Sequence, residues 1–244
     1  MSLKSCLILS AVLFSISAAR AEIEVQAHYN LKGAGGIRDV GCPQALKDHL
    51  GKAPDLARHG SPKVMTSSPA CRRQEYDSSI KFEEPDQCYS INKNLVNGDN
   101  FVVEAWAYAL KGNDGGWHTV VANGTGGTGF LIAQEGGQWS VLVGGIGGTS
   151  LGKVEPEKWT HLAVVKSRGA VTGWLNGQRT CNLPNLGGGI ENFSLGASAP
   201  GKEPFKGWIA EFRYSTFKPG KFDPVSDFLM DTEQLRVVQA AEQK

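Results

Sequence analysis

The sequence predicts an all-β fold: a two-sheet antiparallel β-sandwich of jelly-roll type with a short C-terminal helix. Three observations carry this expectation. From Ser78 to Phe217 the chain is a succession of short β-prone runs, each bounded by Gly, Asn, Asp or Pro. Of the 31 glycines, 25 lie between Gly98 and Gly220, where tight turns need backbone angles that other residues avoid. Only residues 231–242 carry a helical pattern, with Asp231 and Gln234 placed as a capping box and Leu235, Val238 and Ala241 on one face. Many short strands with little helix mean a sandwich or a barrel.

The elements follow in chain order. Residues 1–21 read as a secretory signal: Lys4 gives the positive start and Leu7 to Ala19 the apolar stretch, and Ala19-Arg20-Ala21 presents small residues at a cleavage site after Ala21. The apolar run is too short to span a bilayer, and no later stretch is long and apolar enough to do so. The expected location is therefore secreted, periplasmic or cell-surface. In residues 22–32, Ile23, Val25, Ala27, Tyr29 and Leu31 alternate as one buried strand face. Residues 33–77 lose any sustained period and read as a loop-rich insertion, with a helical turn near Ala45–Leu50. Residues 78–217 hold the β runs, and residues 218–244 form the tail. Asn176-Gly177 and Gly136-Gly137 mark two-residue hairpins.

Composition excludes several functions. Hydrophobic residues make up 41% and charged residues 20%, with a formal net charge of +1, which is ordinary for a globular chain. Loss of Lys4 and Arg20 with the signal leaves 23 basic against 24 acidic groups, too little positive charge for nucleic-acid binding. Four cysteines remain: Cys42, Cys71, Cys88 and Cys181. An even count in an exported chain predicts two disulfides. Three pairings are open, of which Cys42–Cys71 with Cys88–Cys181 is favoured. Their spacing does not suit a zinc site.

Four segments carry a resemblance: Phe101–Tyr108 (FVVEAWAY), Lys158–Val165 (KWTHLAVV), Val171–Gly177 (VTGWLNG) and Phe205–Tyr214 (FKGWIAEFRY). In this order they resemble the central strand, the W-x-H-x-A-V strand, the L-Y-x-D/N-G hairpin and the closing strand of laminin-G-like jelly rolls, within the concanavalin A-like lectin/glucanase group. Ala210 stands where that closing strand often has Asp. The resemblance implies two packed antiparallel sheets of about twelve strands. It implies little about function, because the fold hosts lectins, adhesion modules and hydrolases.

The fold's glucanases carry E-x-D-x-x-E on one strand, so that alternation aims the acids at one cleft. No such run exists here; Glu104 and Glu211 lie on separate segments. G-x-S-x-G and G-K-[ST] are absent, and the Gly clusters at 124–129 and 144–148 read as turns. His161 reads as a packed strand residue.

A sugar site needs an aromatic face with amides, acids or imidazoles for the hydroxyls. Trp117 with Asn113, Asp114 and His118 is the first candidate, and Trp139 after its Gly-Gly turn is the second. The jelly rolls that the segments resemble often hold one calcium at the rim, for which Asn113, Asp114 and Asn123 are the candidate ligands. Asn123-Gly-Thr125 and Asn192-Phe-Ser194 fit the glycan-acceptor pattern. The expectation is an exported, non-catalytic binding module, with a glycan as ligand or, alternatively, a cell-surface protein as partner.

Overall fold

Apart from Glu104 and Tyr108, the run Phe101–Ala109 is apolar on both of its alternating faces, which a strand with one wet face would not be. In the computed structural model of the chain, which describes residues 23–30, 42–66, 78–112, 115–125, 127–186 and 192–230, both faces of this strand are covered. Phe101, Val103, Ala105, Ala107 and Ala109 face the main core between two sheets. Val102 and Trp106 face outward into a second apolar cluster, closed by Phe228, Leu229 and Met230 from the end of the described chain.

The described strands are β1 (Ile23–Tyr29), β2 (Ala45–Leu46), β3 (Leu56–His59), β4 (Lys63–Met65), β5 (Ser79–Phe82), β6 (Cys88–Ile91), β7 (Phe101–Ala109), β8 (Trp117–Thr125), β9 (Thr128–Glu135), β10 (Gln138–Val143), β11 (Gly147–Lys153), β12 (Trp159–Ser167), β13 (Ala170–Leu175), β14 (Gln178–Leu183), β15 (Phe193–Leu195) and β16 (Gly207–Phe217). The first sheet runs β14-β13-β12-β7-β16-β5-β4, with β1 also on β16. The second runs β11-β10-β9-β8-β15-β6-β3-β2. All strand pairs are antiparallel, which makes the molecule the two-sheet sandwich that the sequence predicts. Asn176 and Gly177 both have positive φ, as do Gly136 and Gly137, so both expected hairpins form.

Three details differ from the sequence reading. Residues 42–66 contain β2, β3 and β4, which extend both sheets; Ala45–Leu46 pairs with β3 and does not start a helical turn. Short strands of two to four residues carry too little period to read. β1 is bulged between Val25 and Ala27, so Ala27 and Tyr29 enter the main core while Ile23 joins the outer cluster. Gly147–Lys153, within a Gly-rich stretch, is a full strand, β11. The described helix, α1 (Pro224–Asp227), is a single turn in which the Asp223 side chain accepts from Val225 N; the helical pattern at 231–242 lies outside the described residues.

Cys42, Cys88 and Cys181 are free thiols. Cys88 and Cys181 do not pair because the fold keeps them apart. Cys181, on edge strand β14, packs beside Leu151 of β11. Cys88, on β6, is five strand spacings from β11, about 24 Å, whereas a disulfide needs Cα atoms within roughly 7 Å. Burial pushes the Cys42 thiol up to about 11 and the Cys88 thiol to about 12, which keeps both protonated and unreactive. Cys71 lies outside the described residues.

Candidate functional site

The four neighbouring strands β8, β9, β10 and β11 present one face to the core and the other outward. Val121, Phe130, Ile132, Trp139, Val141 and Val143 point inward. Alternation then places the intervening residues outside. The register aligns Trp117 with Glu135 and Gln138; Thr119 with Ala133, Ser140 and Ser150; and Ala122 with Leu131, Leu142 and Gly148.

The middle of this face is made of small side chains, and Trp117 lies over it. A Cβ added to Gly148 would stand 2.7 Å from Trp117 Cη2. Trp117 is rooted on β8 and Gly148 on β11, three strand spacings across and four residues along, roughly 19 Å on a flat sheet. The contact therefore requires that the sheet curl and that the indole point diagonally toward β11. Gly148 supplies the room in which the ring ends. Around the ring stand the exposed Glu135 carboxylate, the Gln138 amide and the Ser150 hydroxyl, which donates to Gln138 Oε1 at 3.1 Å. Thr119 Oγ1 is buried beneath this face with no partner.

The other sequence candidates fall in different places. His118 projects to the opposite side of β8, with Nδ1 2.9 Å from Pro204 O and Nε2 3.0 Å from Gly115 O, so it pins the rim and does not share the Trp117 face. Trp139 is fully buried beside Phe205; Gln138 and Ser140 face out, so period-2 alternation turns Trp139 in, away from any ligand. Asn113 and Asp114 lie outside the described residues. Asn123 does not fit a calcium ligand: its Oδ1 accepts from Leu95 N and Val96 N at 3.2 and 2.9 Å, and its Nδ2 donates to Val96 O. Among the described residues no cluster of three or more His, Cys, Asp or Glu is placed to hold a metal. Nor do Asn123 and Asn192 offer a glycan acceptor, since both amides are buried and Asn192 Nδ2 donates to Gly124 O and Ser198 O.

Glu135, Gln138, Ser150 and Gly148 were missing from the sequence candidates. Alternation in QWSVLV was the available signal: once Trp139 points in, Gln138 points out.

The acids of the first sheet face the other way, under the C-terminal segment. Glu104 is fully buried. Its carboxylate accepts from His161 Nε2 at 2.8 Å, Arg213 Nε at 2.8 Å and Leu229 N at 2.7 Å. Burial alone would raise its pKa, but Arg213, His161 and the Leu229 amide outweigh that and hold it at about 2. Arg213 also donates to Asp227 O, and Trp106 Nε1 to Leu229 O at 2.7 Å. Glu211 pairs separately with His28 Nε2 at 2.8 Å. The first sheet does carry a row of half-buried rings, Trp159, Tyr108 and Trp208 on adjacent strands. Tyr108 and Trp208 stack on each other at 4.2 Å, so their facing sides are already occupied. Trp117 is the better open platform.

Residues 83–217 match the Laminin_G_3 family profile, described as concanavalin A-like lectin/glucanases superfamily. The chain belongs to this family. A search of curated proteins gave no match. Among solved structures, this laminin-G-like chain resembles domain 4 of AbnA, a GH43 extracellular arabinanase from Geobacillus stearothermophilus, in complex with arabinotriose. The identity is 18% and the TM-score 0.54, over 88% of this chain and 99% of that one. It also resembles the botulinum neurotoxin serotype D binding domain, at 14% identity and TM-score 0.56, over 89% of this chain and 52% of that one. The binding domain of botulinum neurotoxin DC in complex with SialylT is similar too, at 11% identity and TM-score 0.54 over 89% of this chain. The laminin-G-like chain spans about half the length of the toxin domains. At these identities the likeness establishes the fold. Among the described residues no helix is long and apolar enough to cross a membrane.

Proposed function

We propose that the protein is an exported, non-catalytic carbohydrate-binding module, with a sugar ring stacked on Trp117 across the open face of the second sheet. The observation that carries this reading is the Trp117 indole, rooted on β8, whose ring edge reaches the space left by the missing side chain of Gly148 on β11. A pyranose presents one apolar face, and an aromatic plane matches it; contacts of this class contribute roughly 0.5–1.5 kcal/mol beyond buried area. Gln138, Ser150 and Glu135 supply donors and acceptors for the hydroxyls at the edge of the ring. The neighbours solved with arabinotriose and with SialylT support a saccharide as the ligand class.

The non-catalytic part of the reading rests on how the acids are used. Glycoside hydrolysis needs two carboxylates flanking one bond. Glu104 is enclosed with Arg213 and His161, and Glu211 is tied to His28. Glu135 stands beside Trp117 without a second described acid in its row.

A glycan array probed with residues 22–244, with calcium and with chelator, tests the proposal. The expected result is binding to a defined saccharide set. Loss in chelator would add calcium to the ligand site, and retention would remove it. A blank array under both conditions overturns the carbohydrate reading in favour of a protein partner.

A further inference from the structure

A second site, independent of Trp117, is built where the end of β1 and β16 meets two loops. It is a groove of about 390 Å3, within the roughly 300–1,000 Å3 of small-molecule pockets. Lys52, Lys93, Asn94, Asn97, Gln26 and Thr216 line it, and among the described residues no Asp or Glu does. We infer that this groove binds a carboxylate-bearing sugar, a uronic acid unit, through Lys93 and the surrounding amides.

The walls are fixed from behind. Asp48, itself buried, accepts from His28 N at 2.7 Å, Lys52 N at 2.6 Å and Ala53 N at 2.9 Å, which sets the loop that carries Lys52. Asn123 holds Leu95 and Val96, and the Tyr214 hydroxyl accepts from Asn97 N at 3.3 Å, which together set the loop that carries Lys93 and the two asparagines. Gln26 Nε2 donates to Thr216 Oγ1 at 2.9 Å. Polar groups held before the ligand arrives lose little freedom on binding.

The charge selects the ligand. The Lys52 ammonium is already engaged by Glu24 Oε1 at 3.3 Å and Val25 O at 3.0 Å. Lys93 forms no ion pair with any described residue, so among the described residues it is the groove's uncommitted cation. A single lysine is a point charge without the guanidinium fork that favours phosphate. One negative charge surrounded by hydroxyls is the complement of one ammonium surrounded by amides, and that is a uronate. The groove lies by Asn123 near the far end of β8, six residues from Trp117, roughly 20 Å along the strand. A ligand at one site leaves the other open.

The test is an amide NMR titration of residues 22–244 with D-glucuronate and D-galacturonate, with glucose, galactose and acetate as controls. The expected result is that at least one uronate shifts the amides of Lys93, Asn94, Asn97 and Gln26 and leaves those of Ala133 and Ser140 unmoved. In Lys93→Gln the same shifts require at least about tenfold more ligand, and the wild-type response weakens with added salt. Lys93 is exposed, and an otherwise unchanged spectrum shows that the variant is folded. No uronate response, an equal response to acetate, an equal response to the neutral sugar, or an unaltered response in Lys93→Gln each overturns the inference. Shifts on Ala133 and Ser140 instead would place the uronate on Trp117, which also overturns it while supporting the first site.

Discussion

Glu104 is a buried charge whose surroundings commit it to stability. It is enclosed by Arg213, His161 and the Leu229 amide. Glu104→Gln leaves the mostly buried Arg213 without its charge partner, which is expected to destabilise the chain by about 3–5 kcal/mol in urea unfolding. The pH dependence has a defined sign. The folded-state pKa of about 2 lies below the ordinary value of 4.5, so the contribution is complete above pH 4.5 and is lost as pH falls toward 2. The linked loss is roughly 3 kcal/mol. Asp227 acts in the opposite direction: burial raises its pKa, so its protonation offsets part of that loss. Melting temperatures measured between pH 6 and pH 2 should fall more steeply for the wild type than for Glu104→Gln; parallel curves would contradict this account of the network. The individual roles were not legible in the sequence. Glu104, His161 and Arg213 are widely separated along the chain, and only the β7–β12 and β7–β16 registers bring them together.

At the scale of the element, β11 was obscured by the glycine that gives it a role. A stretch reading GGIGGTS looks like turn chemistry, and Gly145 indeed turns the chain with φ of 76°. Gly148 is different: its φ is ordinary, and its missing side chain leaves space for Trp117. Gly148→Val is therefore expected to lift the indole off the sheet. Saccharide affinity should fall at least about tenfold, or about 1.4 kcal/mol, while the melting temperature changes little, because the site is exposed. Unchanged affinity would mean that the ring does not lie where the ligand stacks. The longer strands, β7, β12 and β16, were legible because each is a long β-prone run. β2, β3 and β4 were not, since two to four residues cannot show one. The same alternation that revealed β10 also turned Trp139 inward. Applying it strand by strand would have moved the candidate ligands from Trp139 to Gln138.

At the scale of the whole molecule, the sandwich has two outer faces with different uses. The first sheet's outer face is covered by the segment ending at Met230, with Phe228 packed against His161 and Trp174 at 5.0 and 5.3 Å. Phe228→Ala is expected to lose about 3–5 kcal/mol and to expose enough of Trp106 and Val165 to bind a hydrophobic dye; a wild-type unfolding midpoint would show that this cover is dispensable. The second sheet's face is the one on which Trp117 lies. The resemblance in four segments predicted the sandwich, but it could not say which face is closed, because the closing contacts join residues more than a hundred positions apart. The expected Cys88–Cys181 pairing failed for a related reason: cysteine count carries no distance, and the fold places these two at remote strands.

The central claim is that a saccharide stacks on Trp117. Its most direct test is the dissociation constant of the strongest array ligand for the wild type and Trp117→Ala, measured by calorimetry alongside the melting temperature of each. A loss of at least about tenfold in affinity with the fold intact is expected. An equal dissociation constant in a folded Trp117→Ala protein would contradict it.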